Sequence, residues 1–214
     1  MPLAAPPTPT APPAPAPPDP AGIICDPHAL VTLRAEREAR GLDRWDEVWN
    51  GVYIVMPLAN NEHQSLATRI AARLLGPVED DRGGRVFAGC NVSDVADPAA
   101  DWRTNFRCPD VAVFLPGNPA EDRGTHWFGG PDCALEIVSR GDRSRQKLGF
   151  YAAVGVRELL VLDRDPWGLE LYRLAGGELR SVGTTAPGGE ALATETVPLR
   201  WSLTAADPPT VKVE

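Results

Sequence analysis

Two carboxylates break into otherwise apolar, strand-like runs: Asp110 in RCPDVAVF and Glu136 in PDCALEIVS. Lys147 follows in the helix-like stretch RGDRSRQKLGFYAAVG, with Tyr151 one turn beyond it on the same face. An acid buried in a strand is costly unless it is paired or binds a metal. Two such acids with a cation close behind suggest a site that holds Mg2+ or Mn2+ and cuts a phosphodiester. Hard divalent cations want oxygen ligands, and Mg2+ commonly takes one or two carboxylates together with waters and substrate phosphate. An ammonium near the scissile phosphate could orient the attacking water or neutralise developing charge. Taken singly, each residue also has an ordinary reading. An Asp after Pro at a strand start is usually a turn or cap residue, a Glu in a strand can be an edge residue facing water, and a helical Lys is most often solvated. Their order and spacing raise them above that background.

The elements around these residues must bring them together. Side chains alternate across a strand. In 109–115, Asp110 points with Ala112 and Phe114, away from Val111, Val113 and Leu115. In 133–139, Glu136 shares a face with Ala134 and Val138, opposite Leu135 and Ile137. If the two strands are neighbours, both carboxylates converge at one edge of the sheet. Upstream, 28–40 reads as a short amphipathic helix ended by Gly41. In WDEVWNGVYIVMP, Asn50-Gly51 between aromatic and β-branched runs predicts a hairpin. NNEHQSLATRIAARLLGP predicts a helix with Asn61 and Gln64 as a capping pair, Leu66, Ile70 and Leu74 on one face, and Gly76-Pro77 as its stop.

GRVFAGCNVSDV reads as one strand, and 116–130 as a Pro- and Gly-rich loop in which His126 is a surface histidine. DRSRQKLGFYAAVG reads as a helix capped by Asp142, with Arg143 and Arg145 in its solvated first turn. RELLVLD and LELYRL form a further hairpin, with Asp163 a structural strand end. The order of elements predicts an α/β fold, a mixed β-sheet flanked by helices, with an N-terminal β-hairpin. Residues 1–20 contain ten prolines, so 1–22 is expected to be a disordered tail. A single domain is expected over 23–205, with 206–214 a flexible C-terminus.

Bulk composition narrows the classes. A chain of 214 residues, 43% hydrophobic and 23% charged, has core enough for one globular domain. With 21 basic and 29 acidic residues the net charge is −8, which argues against a generic charge-driven DNA coat. It leaves room for a nuclease whose metal ions and local basic groups outweigh the global balance. Cys25, Cys90, Cys108 and Cys133 form no C-x2-C pair and have no zinc-like relation to His28, His63 or His126, so reduced thiols are expected. No apolar run is long enough to span a bilayer, and the N-terminus lacks the regions of a signal peptide. A cytoplasmic protein with no membrane partner is the expectation.

Together these residues carry a family resemblance. P-D, then twenty-five residues, then E-I-V-S, followed by K-L-x-x-Y-x-x-x-G-V-x-E-x-x-x-L-D, resembles the Uma2 family (DUF820) of the PD-(D/E)XK nuclease superfamily. WDEVWNGVYIVMP followed by NNEHQSLATRIAARL is similar to that family's N-terminal hairpin and first helix, so the resemblance covers roughly 43–175. It implies a restriction-endonuclease-like core and metal-dependent cleavage of DNA. Asp110 and Glu136 match the two metal-binding acids, Glu47 the additional acid on the hairpin, His63 the His-Gln of the first helix, and Lys147 the lysine of the second helix. The superfamily's E-x-K position is occupied by Val138, and the resemblance implies that Lys147, on the following helix, can stand in for that lysine. By analogy with nucleases of this fold, which cut both strands, the resemblance points to a homodimer.

A second reading is a catalytically degenerate nuclease fold serving as a nucleic-acid or protein binding module, which the acidic balance and Val138 favour. Paired-carboxylate glycoside hydrolysis is a weaker third, because no aromatic sugar platform is evident near both acids.

Overall fold

The computed structural model describes residues 27–56, 59–139 and 143–214, so the expected tail and Asp142 cap lie outside the described residues. Helix α1, Pro27–Ala39, leads into a hairpin of β1, Glu47–Trp49, and β2, Val52–Ile54. The turn between them has Asn50 at φ 49° and Gly51 at φ 82°, the left-handed pair that a two-residue hairpin needs. Helix α2, Asn61–Leu75, is followed by β3, Arg85–Phe87, β4, Val92–Ser93, β5, Phe106–Arg107, and β6, Val111–Phe114. Two short strands follow, β7, Glu121–Asp122, and β8, Trp127–Phe128, then β9, Cys133–Ile137. A 3-10 turn, Ser144–Lys147, runs into α3, Leu148–Ala153. Two long strands, β10, Glu158–Arg164, and β11, Trp167–Ala175, precede β12, Glu178–Thr185. The chain closes with β13, Leu192–Ala193, β14, Arg200–Leu203, and β15, Val211–Val213.

These strands form two six-stranded sheets, ordered β2-β1-β5-β4-β8-β7 and β12-β11-β10-β9-β6-β3, and a three-stranded sheet, β13-β14-β15. The second sheet is mixed: β10 runs parallel to β9, which requires the crossover through α3, and the other pairs are antiparallel. Alternation along its strands sorts the core. Val111, Val113, Leu135 and Ile137 face the layer built from Ile70 and Leu74 of α2 and from Trp201 and Leu203 of the C-terminal sheet. Ala134, Leu159 and Val161 face Tyr151 of α3 on the other side. The pairs Val111–Leu135 and Ala112–Ala134 fix the register of β6 against β9, and continuing it by one residue sets Asp110 across from Glu136.

Several local expectations give way to the structure. Asn60, not Asn61, caps α2, its side chain accepting from the His63 N–H at 2.9 Å. The helical path does not stop at Gly76-Pro77. It widens into a π-turn, Gly76–Asp80, which accommodates a proline that has no N–H to give, and ends where Gly83 takes φ 65°. GRVFAGCNVSDV is two strands in different sheets, parted by a turn through Gly89 at φ 80°. The helix carrying Lys147 begins as a tight 3-10 turn, so Lys147 sits before α3 rather than within it. Val211–Val213 pairs with β14 instead of trailing away.

Candidate active site

Lys147 is the meeting point of the predicted residues. Its ammonium is 3% exposed and lies 2.9 Å from Glu47 Oε1, 3.1 Å from Glu136 Oε1 and 3.0 Å from Glu136 Oε2. The 3-10 turn after β9 brings the lysine back over the strand that carries Glu136. Lys147 thus meets the Glu136 carboxyl from eleven residues further along the chain. The Tyr151 hydroxyl, one turn further, donates to Glu136 Oε1.

Glu47 and Glu136 are both buried. Glu47 Oε1 also accepts from the Cys108 N–H at 2.8 Å, and Oε2 from Trp49 Nε1 at 2.6 Å. Burial pushes the Glu136 carboxyl up to about 8; Lys147 pulls against that, while Asp110 and Glu47 add to it. Burial likewise holds the Tyr151 hydroxyl and the Cys108 thiol protonated, well above their ordinary values.

Asp110 stands at the edge of this cluster. Its Oδ2 accepts from the Ile137 N–H at 2.7 Å and lies 3.3 Å from His63 Nε2, which is also 3.1 Å from the Ile137 carbonyl oxygen. Nε2 faces two acceptors, so it carries the ring proton and His63 donates toward Asp110. Asp110, Glu136, Glu47, Lys147 and His63 all line one cavity of about 200 Å³. Its remaining wall includes Trp45, Met56, Ala67, Ala88 and Cys108. The structure therefore gathers all of the expected catalytic and metal-binding residues and His63 around one cavity, with Tyr151 behind Glu136.

Some participants were not anticipated. Asp46, 2% exposed, accepts from Arg37 Nε at 2.5 Å and Nη2 at 2.8 Å, from the Tyr53 hydroxyl at 2.5 Å and from the Met56 N–H at 2.8 Å. It fixes the start of β1 and hence the strand that carries Glu47. The one available signal was the pair of acids in WDEV, which alternation sends to opposite faces. His126 is not a surface residue: it is 8% exposed and stacks on Trp102 at 4.6 Å, and burial lowers its pKa. Arg145 pairs with Asp163 and Glu170 rather than standing free in a first turn.

The sequence profile of the Uma2 family, described as "Putative restriction endonuclease", matches residues 37–206. The chain belongs to the Uma2 family. Among solved structures, "a putative nuclease belonging to DUF820" from Anabaena variabilis superposes with a TM-score of 0.56 at 17% identity, covering 71% of this chain and 83% of that one. The likeness is one of fold, and it extends to the nuclease-like arrangement of mixed sheets and few helices. No curated protein matches this Uma2 chain.

The donor set of the Uma2 site suits a hard cation. Asp110 and Glu136 line the cavity, and Asp110 Oδ2 accepts from the Ile137 N–H and lies against His63 Nε2. Among the described residues no group of three or more His, Cys, Asp and Glu side chains is placed to hold a metal ion. Mg2+ and Mn2+ can bind through as few as one or two carboxylates, with water and phosphate completing the shell, and Asp110 and Glu136 are the two that could serve.

Proposed function

We propose that this Uma2 chain is a divalent-cation-dependent endonuclease that hydrolyses DNA phosphodiester bonds. The observation that carries the reading is the buried ammonium of Lys147, shared between Glu47 and Glu136 at the wall of the cavity onto which Asp110 also opens. Asp110 and Glu136 would hold Mg2+ or Mn2+. When bound, the ion supplies Lewis acidity to the phosphoryl group and lowers the pKa of water. Lys147 orients the attacking water and offsets the charge that grows on the phosphate as the water oxygen bonds to phosphorus and the ester bond breaks. Glu47 holds Lys147 in place and assists removal of the attacking water's proton, the displaced ester oxygen leaves as a hydroxyl by taking a proton from solvent, His63 fixes Asp110, and Tyr151 fixes Glu136.

Cutting both strands calls for two such sites, so the reading extends to a homodimer acting on duplex DNA. No helix among the described residues is long and apolar enough to cross a membrane, and we place the reaction in the cytoplasm.

One observation favours the alternative of a degenerate binding module. Both oxygens of Glu136 and both of Glu47 already have donors within the chain. Nicking of supercoiled plasmid in Mg2+ or Mn2+ separates the two readings. Cleavage by wild type that disappears in both Asp110→Ala and Glu136→Ala is the expected result. No cleavage of double- or single-stranded DNA, with no cation binding by calorimetry, would favour the binding module instead.

A further inference from the structure

Arg107 is a buried cation without a carboxylate partner among the described residues. It is 4% exposed, and its guanidinium lies between two rings, 4.7 Å from the Trp49 centroid and 4.2 Å from that of Phe150. One terminal nitrogen donates to the carbonyl oxygens of Val48 at 2.6 Å and Phe106 at 2.9 Å, and to Asn105 Oδ1 at 3.2 Å. Its Nε, also buried, has no hydrogen-bond partner among the described residues. Such a burial is unfavourable unless the charge or the shape of the group is needed. Burial lowers the Arg107 pKa, and Glu47 is the first of the groups that pull it back.

The elements that Arg107 joins are those that carry the site. Val48 and Trp49 share β1 with Glu47, and Arg107 sits in β5, just ahead of Asp110. Phe150 lies in α3, between Lys147 and Tyr151 in sequence. Trp49 is the link, for its ring packs on the guanidinium while its Nε1–H donates to Glu47 Oε2 at 2.6 Å. A planar, stacking donor is required there, and lysine offers a point charge that cannot bridge two rings and two carbonyls.

We propose that Arg107 is a positioning residue that acts through Trp49 to set the Glu47 carboxylate against Lys147. Its effect on rate rests on the nuclease reading, whereas the positioning itself does not. Arg107→Lys removes the stacked brace. Trp49→Phe keeps a ring on the guanidinium and removes only the N–H to Glu47.

Glu47 Oε1 accepts from the Cys108 amide, so the exchange of that amide with deuterium, followed by NMR, reports where Glu47 sits. In both variants the Cys108 amide is expected to exchange about tenfold faster, with the Leu160 and Val161 amides of the core unchanged. Unchanged protection at Cys108, or a rise shared with the core, would overturn the proposal. If wild type cleaves plasmid, kcat is expected to fall about tenfold or more in each variant with KM little changed, and the double variant to be no worse than the worse single. Additive losses would overturn it. Absence of cleavage by wild type removes the nuclease reading, and the Cys108 exchange still decides the positioning.

Discussion

A buried ammonium between two buried carboxylates gives up the hydration of three ions, and it is stable only if the charges satisfy one another. At this site they do so incompletely. Glu47 is held by Lys147, Cys108 and Trp49, whereas Glu136 shares the same ammonium and a tyrosine hydroxyl. Burial therefore wins at Glu136 and raises its carboxyl from 4.5 to about 8. The sign of the linkage follows from where the proton sits. Between those two values the folded chain holds a proton that the unfolded chain has released. The stabilisation is full below the lower value and is lost as pH rises through the upper one. In the metal-free protein, urea midpoints should fall between pH 5 and pH 8, at a cost of roughly 1 kcal/mol per unit from this group. Glu136→Gln removes a titrating carboxyl without changing its shape, so its midpoint should be flatter over the same range. Parallel curves for the two proteins would show that Glu136 titrates near its ordinary value.

At the scale of elements, the turn between β3 and β4 illustrates how backbone shapes the cavity. A Cβ on Gly89 would lie 2.2 Å from Cζ3 of Trp45 and 2.5 Å from Cη2, and the residue has φ 80°. The Gly89 N–H also donates to the Asp110 carbonyl at 3.0 Å. Gly89→Ala thus meets a strained backbone and a blocked position together, and should cost about 2 kcal/mol or more in urea unfolding. Trp45→Ala in that background should recover part of the loss, because the two changes act on one contact. A fully additive pair would mean that the conformation alone sets the cost.

That turn also marks where sequence reading gives out. The hairpin at Asn50-Gly51 and helix α2 were legible, because φ-permissive turn residues and four-residue apolar spacing are local signals. So was the convergence of Asp110 and Glu136, which alternation predicts once β6 and β9 are neighbours. Nothing local says that 84–95 passes from one sheet to another, since both strands carry similar apolar residues. Glu47 was reached only through the family resemblance. Arg107 was missed because its role depends on remote partners: Val48 and Arg107 are 59 positions apart, and Glu47 and Cys108 are 61 apart. Asp46 and Trp49 meet Arg37, Tyr53, Met56 and Glu47 within ten positions, but no local pattern marks those pairings.

For the molecule as a whole, the charge balance constrains how a polyanion can be held. A net charge of −8 gives no long-range attraction for DNA, and the metal-free cavity sets Glu47, Asp110 and a Glu136 that keeps its proton up to about pH 8 beside one lysine. On the proposed nuclease reading, affinity then comes from a few contacts and from a cation that the acids recruit, rather than from a basic surface. Binding of a fluorescently labelled duplex should be weak without divalent cation and should tighten about tenfold or more when Ca2+ is added as a hard-cation probe. The dependence of log Kd on log salt should be shallow, corresponding to about one to three phosphate contacts. Asp110→Asn removes one negative charge and one of the two proposed cation ligands. It should abolish the gain from Ca2+ while binding the duplex slightly more tightly than wild type in the cation-free state. Anisotropy titrations over a range of NaCl concentrations measure all three quantities. A steep salt dependence, on the order of six or more contacts, with no response to Ca2+ would show that an undetected basic surface holds the DNA, and would detach binding from the carboxylate site.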